Sequence, residues 1–87
     1  MASVSIPLLF RDLTGGARQA EVSGGTLADV IAALETIHPG IEGRIRKGHE
    51  ISSSVTLTVD GRIAARGLAT PVAADSQISI LPAFGGG

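Results

Sequence analysis

Apolar residues alternate with small or polar ones at the start of the chain. Val4, Ile6, Leu8 and Phe10 recur at every second position, with Ser3, Ser5 and Pro7 between them, which predicts a strand over residues 1–10. Pro7 has no amide to give a neighbouring strand, so one side of this strand is unpaired there, or bulged. Thr14-Gly15-Gly16 reads as a turn, and Ala20 and Val22 mark a return strand over residues 19–23 that completes a hairpin. Ser23-Gly24-Gly25 then stops the strand. Both glycine pairs read as turns that need positive φ.

The period then changes from two to that of a helix. Thr26 suits an N-cap, and Asp29, three residues on, suits both a capping box and the positive end of the helix. Leu27, Val30, Ile31 and Leu34 form one apolar stripe, with Ile37 as its possible last member. Pro39-Gly40 ends the helix near His38. About 12 residues at a rise of 1.5 Å give roughly 18 Å, enough to cross a small sheet once.

Residues 40–54 carry no clean period: Ile41, Ile45 and Ile51 lie among charged residues, which predicts a short helical turn and then a mobile loop. Val55, Leu57 and Val59 next alternate with Thr56 and Thr58, and Asp60-Gly61 is a strong two-residue turn signal, so residues 62–66 read as a return strand. Residues 67–75 read as a loop anchored by Leu68. Residues 77–81 form the last strand, with Ile78 and Ile80 on one face, and Pro82 closes it.

The order hairpin, helix, hairpin, strand predicts an α+β chain of the ubiquitin-like β-grasp architecture. It consists of a mixed sheet of four to five strands covered by one main helix, with a flexible C-terminal Gly-Gly tail. The helical crossover makes two strands parallel, most simply the first and the last, and the connection right-handed. A ferredoxin-like fold needs a second full helix, which residues 40–54 supply poorly. Residues 1–82 form the domain and residues 83–87 a functional tail.

Composition narrows the function classes. The 87 residues allow one small domain, and with only Phe10 and Phe84 aromatic its core must be aliphatic. Seven basic residues against eight acidic ones leave a net charge of −1, which argues against a nucleic-acid binder. Cysteine is absent, so neither a disulfide framework nor a thiolate metal site is available. Neither a membrane-spanning run nor a signal peptide stands out, which makes a soluble, cytoplasmic protein the expectation.

Side-chain chemistry is sparse. His38 and His49 have no partners at ligand spacing, so no metal site is expected. Arg44, Arg46 and Lys47 form a basic cluster flanked by Glu42 and Glu50, which reads as a solvated loop. The glycine pairs lack the Lys-Ser/Thr of a phosphate loop, and Ser52–Ser54 have no histidine at a nucleophile's spacing. On this inventory the chain is not an enzyme and binds no cofactor.

The end of the chain is the exception. Ala83-Phe84-Gly85-Gly86-Gly87 follows the last strand, and three terminal glycines have no packing role. One reading is a frayed end. The other makes the carboxyl group of Gly87, next to Gly86, the functional group, since six residues past Leu81 extend roughly 20 Å and glycines thread a channel too narrow for side chains. A terminal carboxyl group with a pKa near 3.5 is an anion and a poor electrophile at neutral pH, so it must be activated, for example by adenylation. No nucleotide site is present, so the activation takes place in trans, with ATP used by another enzyme. Threading three glycines costs about 3–6 kcal/mol of ordering entropy, which a docking surface must offset. Pro7, Leu9, Leu81, Pro82, Phe84 and Gly85 are the candidates, with edge packing the plain alternative for Leu9 and Leu81.

These segments together resemble a known family. Val4-Ser5-Ile6-Pro7 with Arg11, Thr14-Gly15-Gly16, Gly25-Thr26-Leu27 with Val30-Ile31 and Leu34-Glu35, Gly67-Leu68-Ala69-Thr70, Ile80-Leu81-Pro82-Ala83 and the Gly86-Gly87 end are similar to the ThiS/MoaD-type ubiquitin-like sulfur carriers, and among them to those serving cysteine biosynthesis. The resemblance implies a tail adenylated by an E1-like enzyme and sulfurated to a thiocarboxylate on Gly87. It also implies an accepting enzyme, for which a PLP-dependent cysteine synthase-like protein is one candidate. Gly85 stands where a close relative has alanine, and residues 42–53 depart most from the pattern. Two alternatives are the small subunit of molybdopterin synthase and a ubiquitin-like protein modifier. A plain interaction module ranks behind them.

Overall fold

The computed structural model describes residues 1–83. Thr26 caps α1 (Leu27–Ile37), the one α-helix among the described residues, and its hydroxyl oxygen accepts from the Asp29 amide at 3.3 Å. Leu27, Val30, Ile31 and Leu34 are completely buried, as their spacing predicts, whereas Ile37 is half exposed and the stripe ends at Leu34.

α1 covers one face of a five-stranded mixed sheet in the order β2-β1-β7-β5-β6. These strands are β1 (Ala2–Ser5), β2 (Gln19–Val22), β5 (Val55–Val59), β6 (Arg62–Ile63) and β7 (Gln77–Pro82). A separate hairpin joins β3 (Arg46–Lys47) to β4 (Glu50–Ile51). β7 runs parallel to β1, with Ser3, Val4 and Ser5 opposite Gln77, Ile78 and Ser79. It runs antiparallel to β5, from Val55 opposite Pro82 to Val59 opposite Ile78. Val4, Leu57, Ile78 and Ile80 therefore share the buried face with α1. The register puts Gln19, Ser5, Ser79, Thr58 and Ile63 in a row across the other face. That face is mostly hydroxyl and amide, as expected of a sheet with one solvated side.

Four local expectations change. The first strand stops at Ser5, because Pro7 initiates a 3-10 helix (Leu8–Leu13) whose Phe10 amide donates to the Pro7 carbonyl at 3.0 Å. Phe10 still reaches the core, but Leu8 is 76% exposed and does not belong to the alternating set. The expected short helical turn is the 3-10 turn Pro39–Ile41, but the mobile loop after it is instead the β3–β4 hairpin, turned at Gly48, and Ile41 and Ile45 are fully buried. The return strand after Asp60-Gly61 shortens to Arg62–Ile63.

The fourth change concerns Gly24-Gly25. Gly15 and Gly16 have positive φ, as their turn requires, but Gly24 and Gly25 do not. Gly24 is needed for another reason: a Cβ there would lie 2.8 Å from the Val30 nitrogen and 2.9 Å from the Asp29 Cβ. Absence of a side chain lets the chain pass against the first turn of α1.

Asp60 and Gly61 take the left-handed conformations that their turn demands, with φ of 52° and 83°. The Asp60 carboxylate accepts from the Gln77 amide at 2.8 Å and from the buried Ser76 hydroxyl at 3.0 Å. One side chain therefore tethers the β5–β6 turn to the start of β7. Asp60→Ala should cost about 1–3 kcal/mol, because it leaves the buried Ser76 hydroxyl without its acceptor and frees the Gln77 amide, with Asp60→Asn losing less. Leu34→Ala should cost about 2–5 kcal/mol through the cavity it opens. Urea unfolding followed by circular dichroism measures both.

Candidate functional site

Several segments meet at the end of the sheet where β7 finishes. β1 gives way there to Pro7 and the Leu8–Leu13 helix, and residues 52–54 lead into β5 at the same end. The Ala83 amide donates to the Ser54 carbonyl at 2.9 Å, so the chain is held to the globule up to Ala83. Ser54 is itself fixed, since its amide donates to the hydroxyl of the buried Ser52 at 3.2 Å and the Ser52 amide donates to the Ile45 carbonyl at 2.8 Å.

Beside this exit lies an open groove of about 430 Å³. Leu9, Phe10, Asp12 and Leu13 of the 3-10 helix form one side, and Gly43, Arg44, Lys47, Ser52 and Ser54 form the other. The second side is held in place by an ion pair. The Arg46 guanidinium donates through Nη2 to Glu35 Oε1 at 2.8 Å and through Nε to Oε2 at 3.3 Å, which clamps the β3–β4 hairpin to α1. The Glu35 side chain is only 11% exposed, so this forked contact is better shielded than a surface pair. Arg46 therefore leaves the expected solvated cluster, while Arg44 and Lys47 remain exposed on the groove wall.

The sequence-predicted docking residues separate into two places. Leu9, 62% exposed, lies on the groove. Leu81, 46% exposed, points to the open face of the sheet opposite Thr56, on the opposite side from buried Ile80. Pro7 and Pro82 are half-buried at the shared end of the sheet. Phe84, Gly85, Gly86 and Gly87 lie outside the described residues. Among the described residues, no three His, Asp or Glu side chains come together as metal ligands would, and no helix is long and apolar enough to cross a membrane. The sequence reading missed the Glu35–Arg46 clamp and the groove it supports. Their partners are 11 positions apart across a turn, a spacing with no periodic signature.

Comparison with known proteins agrees with this geometry. The ThiS family model matches residues 4–87. The chain belongs to the ThiS family. Sulfur carrier protein CysO of Mycobacterium tuberculosis is 37% identical over 91 aligned residues, covering 98% of this chain and 97% of that protein. The Amycolatopsis orientalis BexX/CysO complex contains a chain that superposes on this ThiS-family member with a TM-score of 0.92, 31% identity and complete coverage of both. Small archaeal modifier protein 1 from Methanosarcina acetivorans has a TM-score of 0.83 at 25% identity, with 99% of this chain and 95% of that one covered. These likenesses bear out the β-grasp fold and the family read from the sequence.

Removing the Arg46 side chain should expose how much the clamp holds. Arg46→Ala leaves the Glu35 carboxylate shielded without its partner and should destabilise the domain by about 1–3 kcal/mol. Hydrogen exchange should show the amides of Lys47, Glu50 and Ser52 losing protection before those of β1 and β7.

Proposed function

We propose that this chain is a sulfur carrier whose reactive group is the terminal carboxyl of Gly87. The observation that carries the reading is the alignment with CysO over nearly the whole length, together with a family match that runs through Gly86 and Gly87. An E1-like enzyme transfers AMP from ATP to the carboxylate, releasing pyrophosphate. Sulfide then attacks the acyl carbon and AMP leaves, so the C-terminus becomes a thiocarboxylate. ATP belongs to that enzyme, and the carrier itself needs no cofactor. The terminal sulfur is a stronger nucleophile than a carboxylate oxygen, and the absence of cysteine removes any internal thiol that would form a disulfide with it.

The accepting enzyme takes this sulfur into a biosynthetic product, and a PLP-dependent cysteine synthase-like protein fits the resemblance to CysO. Anchorage at Ala83 supports this division of labour: the four residues beyond it span at most roughly 13 Å, so an enzyme that reaches Gly87 must press against the end of the sheet. Leu81, Pro82 and Pro7 offer it apolar contact there, with Phe84 and Gly85 following along the tail.

A second reading is favoured by the likeness to small archaeal modifier protein 1: the same activated glycine passes to a lysine amine as an isopeptide. Incubation with the adenylating enzyme, ATP and a sulfide source should add the mass of one oxygen-to-sulfur exchange, and deletion of Gly87 should abolish it. Leu81→Glu should slow this loading about tenfold, a loss of about 1.4 kcal/mol. Conjugates that persist in denaturant, without any thiocarboxylate, decide for the modifier instead.

A further inference from the structure

We propose that the groove beside the tail exit docks an acidic segment, carrying an aliphatic residue, of the enzyme that admits the tail. This rests on the sulfur-carrier reading and adds to it a surface and a charge. The groove combines an apolar floor with a cationic wall. Leu9, Phe10 and Leu13 line one side, and Leu9 keeps most of its surface in solvent. Leu8, next to it, is the most exposed large apolar side chain among the described residues. Leu9, left in water on the groove lining, is an anchor of the kind that interfaces bury.

The cationic wall is specific in its pairing. Of the three basic residues in this segment, Arg46 is neutralised by Glu35, and it is the only ion pair among the described residues. Arg44 and Lys47 have no carboxylate within ion-pair distance among the described residues, and they face the groove with Asp12 as the one acidic side chain of its lining. The clamp fixes the hairpin whose Lys47 borders the groove on one side and a depression with Glu35 and Glu42 on the other. Two unpaired cations on a fixed wall favour carboxylates, and the leucines across from them favour an aliphatic residue between those carboxylates.

Location supplies the occupant. Ser54 belongs to the groove lining and also holds Ala83, so the tail starts from the groove's edge. With roughly 13 Å of chain beyond Ala83, an active site that receives Gly87 is brought against this rim. The partner that covers it is therefore the tail-admitting enzyme.

BexX, the protein found in complex with the similar CysO chain, serves as the probe. Its dissociation constant is measured by calorimetry at low and high ionic strength for the full chain and three variants. Arg44→Glu with Lys47→Glu should weaken binding at least tenfold at low salt, and the difference should shrink at high salt. Arg62→Glu with Arg66→Glu, the same charge change outside the groove lining, should leave it within twofold. Asp12→Asn should tighten binding severalfold, a gain that a misfolded variant cannot give. Absence of BexX binding, an unchanged constant in the Arg44/Lys47 variant, or an equal loss in the Arg62/Arg66 variant overturns the proposal. Loading of the tail, followed by intact mass without BexX, tests the carrier reading separately: a chain that never loads ends that reading while these affinities still decide the groove.

Discussion

The parallel pairing of β1 with β7 is the constraint on which the rest of the structure depends. It joins residues 3–5 to residues 77–79, almost the whole length of the chain apart. Such a contact carries a large loop-closure cost, which grows only slowly with length but must be met before the pairing itself stabilises. α1 meets it from one face with four fully buried aliphatic side chains, and β5 meets it from the other edge of β7 with five opposed pairs. The last strand thereby occupies the centre of the sheet. β1 holds this strand through Ser79 and β5 holds it through Pro82, and the Ala83–Ser54 bond extends the hold on the β5 side by one residue.

The core follows from composition. Phe10 is the only aromatic residue in it among the described residues, and the other large buried side chains there are leucine, isoleucine and valine. β-branched and leucine side chains have few rotamers and fill a two-layer sandwich without polar atoms to satisfy. Where polar groups are buried they act as fasteners: Ser76 joins Asp60 to the start of β7, and Ser52 orders the lead into β5. Both fasteners act on the strands that carry the tail.

Most of the fold was legible because its elements have local periods. The α1 stripe, the Thr26 cap, the Asp60-Gly61 turn and the Ile78/Ile80 alternation each declare themselves within a few residues. The parallel β1–β7 pair followed from counting crossovers. What was not legible depends on contacts between segments. Leu8 continues the alternation of Val4 and Ile6, yet Pro7 starts a 3-10 helix and removes it from the core. Gly24 looks like a turn residue, and only the passage of α1 at 2.8 Å from its missing Cβ reveals its role. The β3–β4 hairpin lacks a two-residue Asn-Gly or Asp-Gly signal, and it is stabilised from outside, by Ile45 beneath and Glu35 beside it. Of the site, the Gly86-Gly87 end was visible as a motif, but the groove was not, since its two walls come from residues 9–13 and 43–54.

The two surfaces around the exit differ in what they offer. The open face of the sheet is hydroxyl and amide with Leu81 at its end, and such a face discriminates weakly because many partners pair with it equally well. The groove has a fixed sign of charge, a fixed apolar floor and a wall whose position depends on one ion pair. Charge governs encounter and rejection of wrong partners more than it governs total affinity. On the proposed function, in which an activating enzyme and an accepting one take the tail in turn, each must release it, so very tight apolar docking works against the exchange. Modest apolar contact beside Leu81 combined with salt-sensitive recognition in the groove gives selection without a long residence time. The Glu35–Arg46 clamp, remote from the tail itself, is then the contact that keeps the selective wall in place.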